Sequence, residues 1–321
     1  MLNGLLLAIG ANALWATAFI APLLLPDTRP IAIVIGRYVV FGLSSLLVLA
    51  IIAWRARRSA MSMLRSPRAW GAALVLTLFG NVIYYVCLAT ALRLAGTAMP
   101  TLIIGMLPVI VAVLGAVGER GVPWGALLAS CALIVGGLVL VHMAGARGTA
   151  PLVAGGTSYG AGVALAFAAL ASWTVYGMGN AAYLRRHPGT DMVMWTSMTG
   201  TATLPLLVPL FAFVGGLGTF AGADATVENG VVPFAVVSLA LGLGTSWAAT
   251  WAWNGASAVL PTRLLGQLIV VETLMALVFA AVVRWEMPSA AVGVGAAMLL
   301  AGVLWGIRVA RTNDAAARTV P

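Results

Sequence analysis

The sequence predicts an all-α polytopic membrane protein with ten transmembrane helices in two inverted five-helix repeats and both termini in the cytoplasm. Three observations predict this fold. Of 321 residues, 62% are hydrophobic and 8% charged, and the mean hydropathy is +1.06. A single soluble core cannot absorb so much apolar sequence. The apolar residues also fall into ten long runs, and the second half of the chain repeats the first.

Each run is long enough to cross the hydrocarbon layer, which is about 30 Å thick and needs about 20 helical residues. Most of the connections between the runs are short. The longest are Arg55–Arg68 and a polar loop near Gly215–Gly230. The ten predicted spans cover roughly residues 3–25, 31–54, 69–92, 98–117, 124–143, 159–184, 191–214, 232–253, 262–283 and 289–308.

The arginines predict the orientation of these helices. All 17 basic residues are arginine, and arginine is enriched in cytoplasmic segments of membrane proteins. With the N-terminus inside, twelve arginines lie on the cytoplasmic side, four lie outside and Arg37 lies within the membrane. We therefore attribute the net charge of +9 to the orientation of the helices in the membrane, and we expect no nucleic-acid partner.

The repeat is the strongest clue to architecture. Five helices per copy is an odd number, so the second copy enters the membrane from the opposite side, as in many secondary transporters. We expect a first repeat at 1–143 (helices 1–5), a linker at 144–158, a second repeat at 159–310 (helices 6–10) and a cytoplasmic tail at 311–321. The register pairs Trp15 with Trp173, Gly42 with Gly200, Gly80 with Gly244, Pro123 with Pro288 and Gly137 with Gly302.

Aromatic and amide side chains share helix faces deep within several spans, at spacings of three, four or seven residues. A buried indole or phenol needs a partner for its polar tip, so these residues could line a cavity that stacks on a substrate. The alternative is packing, with asparagine as a hydrogen-bonding link between helices. The candidate substrate-binding residues are Asn12, Trp15, Asn81, Tyr84, Tyr85, Trp173, Tyr176, Asn180, Trp247 and Asn254.

Other tryptophans lie near span ends, where they form the usual interfacial belt. Trp15 and Trp173 lie too deep for that belt. The remaining three tryptophans could lie in the interfacial belt or in the interior, namely Trp195, Trp251 and Trp253.

Two charged residues lie within spans. Glu272 is the one acid deep in a span, and such a residue is a functional candidate by default. It could bind a proton, contact a substrate amine or pair with an arginine, and a structural role is open too. Arg37 could meet a substrate carboxylate, although we favour snorkelling of its side chain to the outer interface. The repeat pairs Glu272 with Pro108 and Arg37 with Trp195.

Enzyme chemistry is not expected. Cys87 and Cys131 lie in apolar runs and are interpreted as packing residues, and His142 and His187 are far apart in sequence. Neither metal-ligand spacing nor a Ser–His or Cys–His arrangement is present, so we expect no metal and no cofactor.

Several short motifs, in order, resemble the drug/metabolite transporter superfamily of the EamA type over nearly the whole chain. They are Ala13-Leu14-Trp15-Ala16-Thr17, Gly36-Arg37-Tyr38, Leu107-Pro108-Val109 and Gly118-Glu119-Arg120. Further segments resemble the YddG aromatic amino-acid exporters: Tyr84-Tyr85-Val86-Cys87-Leu88-Ala89, Ala171-Ser172-Trp173-Thr174-Val175-Tyr176 and Ala252-Trp253-Asn254. The chain departs from the family at Glu272, where a second proline is frequent, and around Arg284-Trp285-Glu286.

The resemblance implies a multi-pass transporter of the bacterial inner membrane that exports aromatic and other neutral amino acids through a central cavity by alternating access. We expect amino acids as substrates, the lipid bilayer as surroundings, and a monomer or weak homodimer. The alternative is efflux of drug or quaternary organic cations, which an aromatic box can bind by cation–π attraction. Nucleotide sugars fit less well because few basic residues lie inward. A membrane-embedded enzyme is a distant alternative.

Overall fold

The computed structural model describes residues 1–25, 28, 30–55, 62–96, 98–117, 121–145, 156–213, 231–285 and 287–319. Long apolar runs without free water must satisfy their backbone groups internally, which favours helices. The predicted all-α polytopic fold is confirmed. The long helices are α1 Leu2–Phe19, α2 Pro30–Arg55, α3 Pro67–Ala95, α4 Met99–Ala116, α5 Trp124–Gly145, α6 Gly156–Arg186, α7 Met192–Phe213, α8 Val231–Val259, α9 Thr262–Val283 and α10 Ala290–Thr319.

Within the part of the chain that the structure describes, nine helices are long and apolar enough to cross a membrane. The long helix outside this set is α7, which has 22 residues and contains Pro205 and Pro209. Its first half carries serine and threonine side chains that are buried, including Thr196, Ser197 and Thr199. The count of ten spans and the cytoplasmic location of both termini therefore stay predictions.

Three predicted features fall outside the described residues. They are the Gly118-Glu119-Arg120 turn, most of the linker at 144–158 and the whole polar loop near 215–230. The side chains of the tail at 311–321 are also outside the description.

The helices pack in a pattern with two-fold character. The most extensive contacts join α5 to α10, α2 to α7, α3 to α6, α4 to α9 and α1 to α8. The repeat makes α1 equivalent to α6, α2 to α7, and so on to α5 and α10. When each helix is replaced by its equivalent, the same five pairs of helices result. We propose on this ground that the two halves form an inverted repeat.

Close approaches between α5 and α10 follow the same relation. The repeat pairs Gly137 with Gly302. A Cβ on Gly137 would lie 2.9 Å from Leu299 N, and a Cβ on Gly302 would lie 2.8 Å from Ile134 Cγ1. Ile134 in the first half and Leu299 in the second half are also equivalent positions of the repeat. Each half therefore packs a glycine against the equivalent residue of the other half. Such small residues allow membrane helices to approach closely.

Two helices contain a wider π-helical segment. These segments are Leu78–Ile83 in α3 and Leu241–Ala248 in α8. They include Gly80 and Gly244, which the repeat pairs. The wider turns are frequent at functional sites, and both lie next to the candidate residues described below.

The crossing of α4 and α9 gives a test of packing. A Cβ on Gly115 would lie 2.7 Å from Arg263 N, and a Cβ on Gly266 would lie 2.8 Å from Val111 C. Backbone atoms cannot move aside easily, so we expect Gly115→Ala and Gly266→Ala each to lower the free energy of unfolding by about 1–3 kcal/mol. Thermal unfolding of the purified variants in detergent measures this.

The matched control is Gly71→Ala in α3, because a Cβ at Gly71 meets no atom within 4 Å. Equal midpoints for all three variants would contradict the described crossing.

Candidate functional site

Three indole rings from both halves of the chain meet in the interior. The centroid of Trp15 on α1 lies 5.2 Å from that of Trp253 on α8 and 6.3 Å from that of Trp173 on α6. Trp173 also lies 6.2 Å from Trp253 and 5.7 Å from Tyr176. The rings are tilted or edge-on to one another, which are favourable geometries for aromatic pairs. Trp15, Trp173 and Tyr176 are half-buried, whereas Trp253 is fully buried beneath them.

A second group of side chains carries the polar character of the site. Tyr38 Oη donates a long hydrogen bond of 3.5 Å to Asn81 Oδ1, which links α2 to the π-helical segment of α3. Tyr84 follows this segment on α3 and is half-buried. The guanidinium carbon of Arg37 lies 5.4 Å from the centre of the Tyr38 ring. Glu272 is half-buried on α9, which packs against α1.

Tyr85 and Tyr176 extend this polar group. Tyr85 follows Tyr84 on α3 and is half-buried. A Cβ on Gly80, next to Asn81, would lie 2.6 Å from Tyr176 Cγ. Because Tyr176 also contacts Trp173, it joins the polar group to the indole cluster. All of the predicted residues in these two groups are half-buried, as expected of side chains that border an interior space.

The structure places Asn180 and Asn254 in a different setting. Trp195 Nε1 donates to Asn180 Oδ1 at 2.9 Å, Asn180 Nδ2 donates to Asn254 Oδ1 at 2.8 Å, and Asn254 Nδ2 donates to Thr196 Oγ1 at 2.8 Å. The indole of Trp195 also stacks on Tyr183 at 4.1 Å. This chain of bonds ties α6, α7 and α8 together, and all four of its members are fully buried. In this conformation both asparagines make helix-packing contacts.

Asn12 and Trp247 lie at the edges of the site. Asn12 is fully buried, and its Nδ2 donates to Ala8 O at 2.7 Å. Within the described part of the chain, Asn12 Oδ1 has no hydrogen-bond partner although it is buried. Trp247 Nε1 donates to Ser197 Oγ at 3.2 Å, and this bond joins α8 to α7.

Two tryptophans that were consistent with the interfacial belt lie inside the protein. Trp195 is 0% exposed and Trp253 is 1% exposed, whereas Trp251 is 39% exposed and stays compatible with the belt. The spacing of these tryptophans in the sequence could not distinguish the buried ones from an interfacial one. For Trp253 a signal was present, since Ala252-Trp253-Asn254 is one of the segments that resemble the aromatic amino-acid exporters.

The snorkelling expected for Arg37 is not what the structure shows. Arg37 Nε donates to Ser246 Oγ at 2.6 Å, and Cζ lies 5.4 Å from the centre of the Tyr38 ring. Its guanidinium therefore bonds to the π-helical segment of α8, within the helix bundle. Sequence reasoning named neither Ser246 nor Tyr38 as a site residue, although Tyr38 belongs to the Gly36-Arg37-Tyr38 motif.

Among the described residues, no group of three or more histidine, cysteine, aspartate or glutamate side chains could hold a metal ion. Cys131 is buried and Cys87 is half-buried, both in helices. What the site offers instead is aromatic surface, an amide, phenolic hydroxyls and the guanidinium of Arg37. Such a surface can bind a small molecule that is partly apolar and carries charge.

Comparison with known proteins bears on the family. The model of the EamA-like transporter family matches residues 2–143, which are the residues predicted to form the first repeat. The chain is 34% identical over 315 residues to inner membrane protein YtfF of Escherichia coli (strain K12), with 96% of each chain covered. A solved crystal structure matches 97% of this chain and 98% of its own with a TM-score of 0.70, at 21% identity. That structure supports the fold alone.

Mutation can distinguish the buried hydrogen-bond network of Asn180 and Asn254 from the candidate substrate site. Asn180→Ala removes two side-chain hydrogen bonds and leaves Trp195 Nε1 without its acceptor. We expect it to lower the free energy of unfolding by about 1–2 kcal/mol, since such bonds in membrane proteins contribute up to about 1.7 kcal/mol each. Thermal unfolding in detergent checks this.

Asn81→Ala is the matched control, because Asn81 is half-buried and makes one long contact. A larger loss of stability for Asn81→Ala than for Asn180→Ala would contradict the assignment of roles.

Proposed function

The chain belongs to the EamA-like transporter family, and from this premise we propose that it exports amino acids and similar small metabolites as a secondary transporter. It is a multi-pass protein of the inner membrane, as is its Escherichia coli relative. Family and relative point to a transporter rather than an enzyme. The proposed cargo is aromatic and other neutral amino acids, taken up from the cytoplasm.

The observation that carries this proposal is the indole cluster formed by both halves of the chain. Trp15 comes from the first half, and Trp173 and Trp253 come from the second. Half-buried indole faces supply apolar surface for a substrate side chain, and the phenols and Asn81 beside them supply polar contacts. A ligand held there would touch both halves, as the substrate does in transporters built from inverted repeats.

Alternating access would require contacts between the halves to break. Thr17 Oγ1 and Thr245 Oγ1 share a hydrogen bond of 2.7 Å, which joins α1 to α8. The bond from Arg37 to Ser246 joins α2 to α8 next to it. With the predicted orientation, both bonds lie towards the outer side. We therefore propose that they close the site from the outside and that release of substrate requires them to separate.

Efflux of organic cations is the second candidate. One observation favours it: Glu272 is half-buried on α9, which packs against α1, the helix of Trp15. A carboxylate next to aromatic faces suits a quaternary ammonium ion. Arg37 weighs against this reading, because its positive charge also lies inside the bundle, bonded to Ser246.

Counterflow tests the proposed function. Liposomes with purified protein are loaded with unlabelled tryptophan, phenylalanine, threonine or methionine, and labelled amino acid is added outside. We expect transient accumulation for wild type and a loss of at least about tenfold in Trp173→Ala, because removal of one well-packed aromatic contact costs about 1.4 kcal/mol or more of binding.

Trp305→Ala is the matched control, since Trp305 on α10 is 46% exposed on the outer surface of the bundle. It should transport like wild type. No accumulation of any amino acid by folded wild-type protein would overturn the proposal and place cation efflux first.

A further inference from the structure

The π-helical segment of α8 is bonded to three other helices through three consecutive side chains. The three hydrogen bonds join Thr245 to Thr17 of α1 at 2.7 Å, Ser246 to Arg37 of α2 at 2.6 Å, and Trp247 to Ser197 of α7 at 3.2 Å. Helices α1 and α2 belong to the first half of the chain, and α7 belongs to the second. The segment therefore makes two bonds to the other half and one within its own half.

The π-helical segment of α3, with the residue before it, has the equivalent set of partners. The three hydrogen bonds run from Ser172 Oγ of α6 to Phe79 O at 2.7 Å, from Thr77 Oγ1 to Thr199 O of α7 at 3.1 Å, and from Tyr38 Oη of α2 to Asn81 Oδ1 at 3.5 Å. Two of these bonds again reach the other half, and one stays within its own half. Because the repeat makes α1 equivalent to α6, α2 to α7 and α3 to α8, it exchanges the two sets of partner helices.

The two sets of bonds lie towards opposite ends of the helix bundle. Helices α2 and α7 run in opposite directions, as shown by their close contacts, which join Gly42 to Leu204 and join Ser45, later on α2, to Gly200, earlier on α7. Arg37 lies about two turns after the start of α2, and Thr199 lies about two turns after the start of α7. The bond of Arg37 to α8 and the bond of Thr199 to α3 are therefore on opposite sides of the middle.

We propose that the two π-helical segments are paired gates, one for each end of the substrate path. The bonds of the α8 segment to α1 and α2 close one end, and the bonds at the α3 segment to α6 and α7 close the other. Both sets are made in this structure, and a substrate crosses when one set breaks while the other holds. This inference rests on the proposed function and deepens it, because it adds a cytoplasmic gate to the outer closure.

The wider turn explains how such gates can open. π-helical segments are among the few features that kink a helix, so one part of α3 or α8 can swing while the rest stays packed. Hydrogen bonds between membrane helices are weak on average, so two of them can break without disrupting the bundle. The residues of the two gates differ, since the repeat pairs Ser172 with Leu14 and Thr77 with Leu241. Each gate can therefore be altered by mutation without changing the other.

Distances between paired spin labels measure the opening of each end. The α3–α6 pair uses Arg68→Cys with Arg186→Cys, near the start of α3 and the end of α6, beside the start of α7. The α1–α8 pair uses Leu24→Cys with Val236→Cys, after the end of α1 and near the start of α8, beside the start of α2. All four side chains are exposed, so the labels need not disturb the packing.

The two native cysteines, Cys87 and Cys131, are replaced by alanine in every sample so that the labels attach only at the chosen positions. We expect Ser172→Ala and Thr77→Val each to raise the population with a long α3–α6 distance by about threefold, the effect of losing one average interhelical bond. Both should leave the α1–α8 distances unchanged. Thr245→Val and Ser246→Ala should instead lengthen the α1–α8 distances and leave the α3–α6 distances unchanged.

Ser44→Ala and Thr90→Val are the matched controls, because each hydroxyl bonds to a carbonyl of its own helix. They should change neither pair of labels. Each gate is tested at two residues, and thermal unfolding shows which variants are folded. Widening of the same end by the variants of both gates would overturn the proposal, and so would unchanged distances in the folded gate variants.

Failure of this inference can be told apart from failure of the proposed function, because the labels report closure without any substrate. If the two ends open as expected and wild-type liposomes show no counterflow of any amino acid, the proposed cargo fails and the gates stand. If counterflow is observed and the gate variants leave both ends unchanged, the gates fail and the proposed function stands.

Discussion

The bilayer supplies no water to polar groups in its core, and the rest of this structure depends on that constraint. A polar side chain between the helices is stabilised there by a protein partner or by a space that admits water or substrate. Asn180 and Asn254 meet the first condition, with their bonds made to each other and to α7. Asn81 has one long hydrogen bond, from Tyr38, and is half-buried in the π-helical segment of α3, so we propose that it borders the substrate path. The same residue type therefore has two roles, set by how completely it is bonded.

The two-fold pairing of helices provides the frame for both proposed gates. Glycines at equivalent positions, such as Gly137 and Gly302, allow close approach at the same places in both halves. The charged residues break the relation, because Arg37 and Glu272 have no charged equivalents. In our account the repeated packing builds a scaffold that can move, and the bonds at each π-helical segment hold one end of it closed.

Sequence reasoning predicted the helical fold from the apolar runs, because a helix is the one element that fits such runs in a bilayer. It also placed Trp15 and Trp173 deep in the membrane, and the structure brings them together. It could not place Trp195 or Trp253, since a tryptophan near a span end can face lipid or a neighbouring helix with the same spacing. That choice depends on which helices meet: Trp195 is buried because α6 presents Asn180 to it.

The hydrogen bond from Arg37 to Ser246 is another contact that could not be predicted from the sequence. The two residues lie in different halves, and their meeting depends on the packing of α2 against the widened turn of α8. No local pattern in either helix encodes that contact. Sequence periodicity predicts which residues share a face of a helix. It does not predict which other helix packs against that face.

An experimental structure of the protein in a lipid nanodisc with L-phenylalanine tests the central claim most directly. The account predicts density for the amino acid between the two halves, with its ring against Trp15 and Trp173. Density at the lipid-facing surface alone would contradict it.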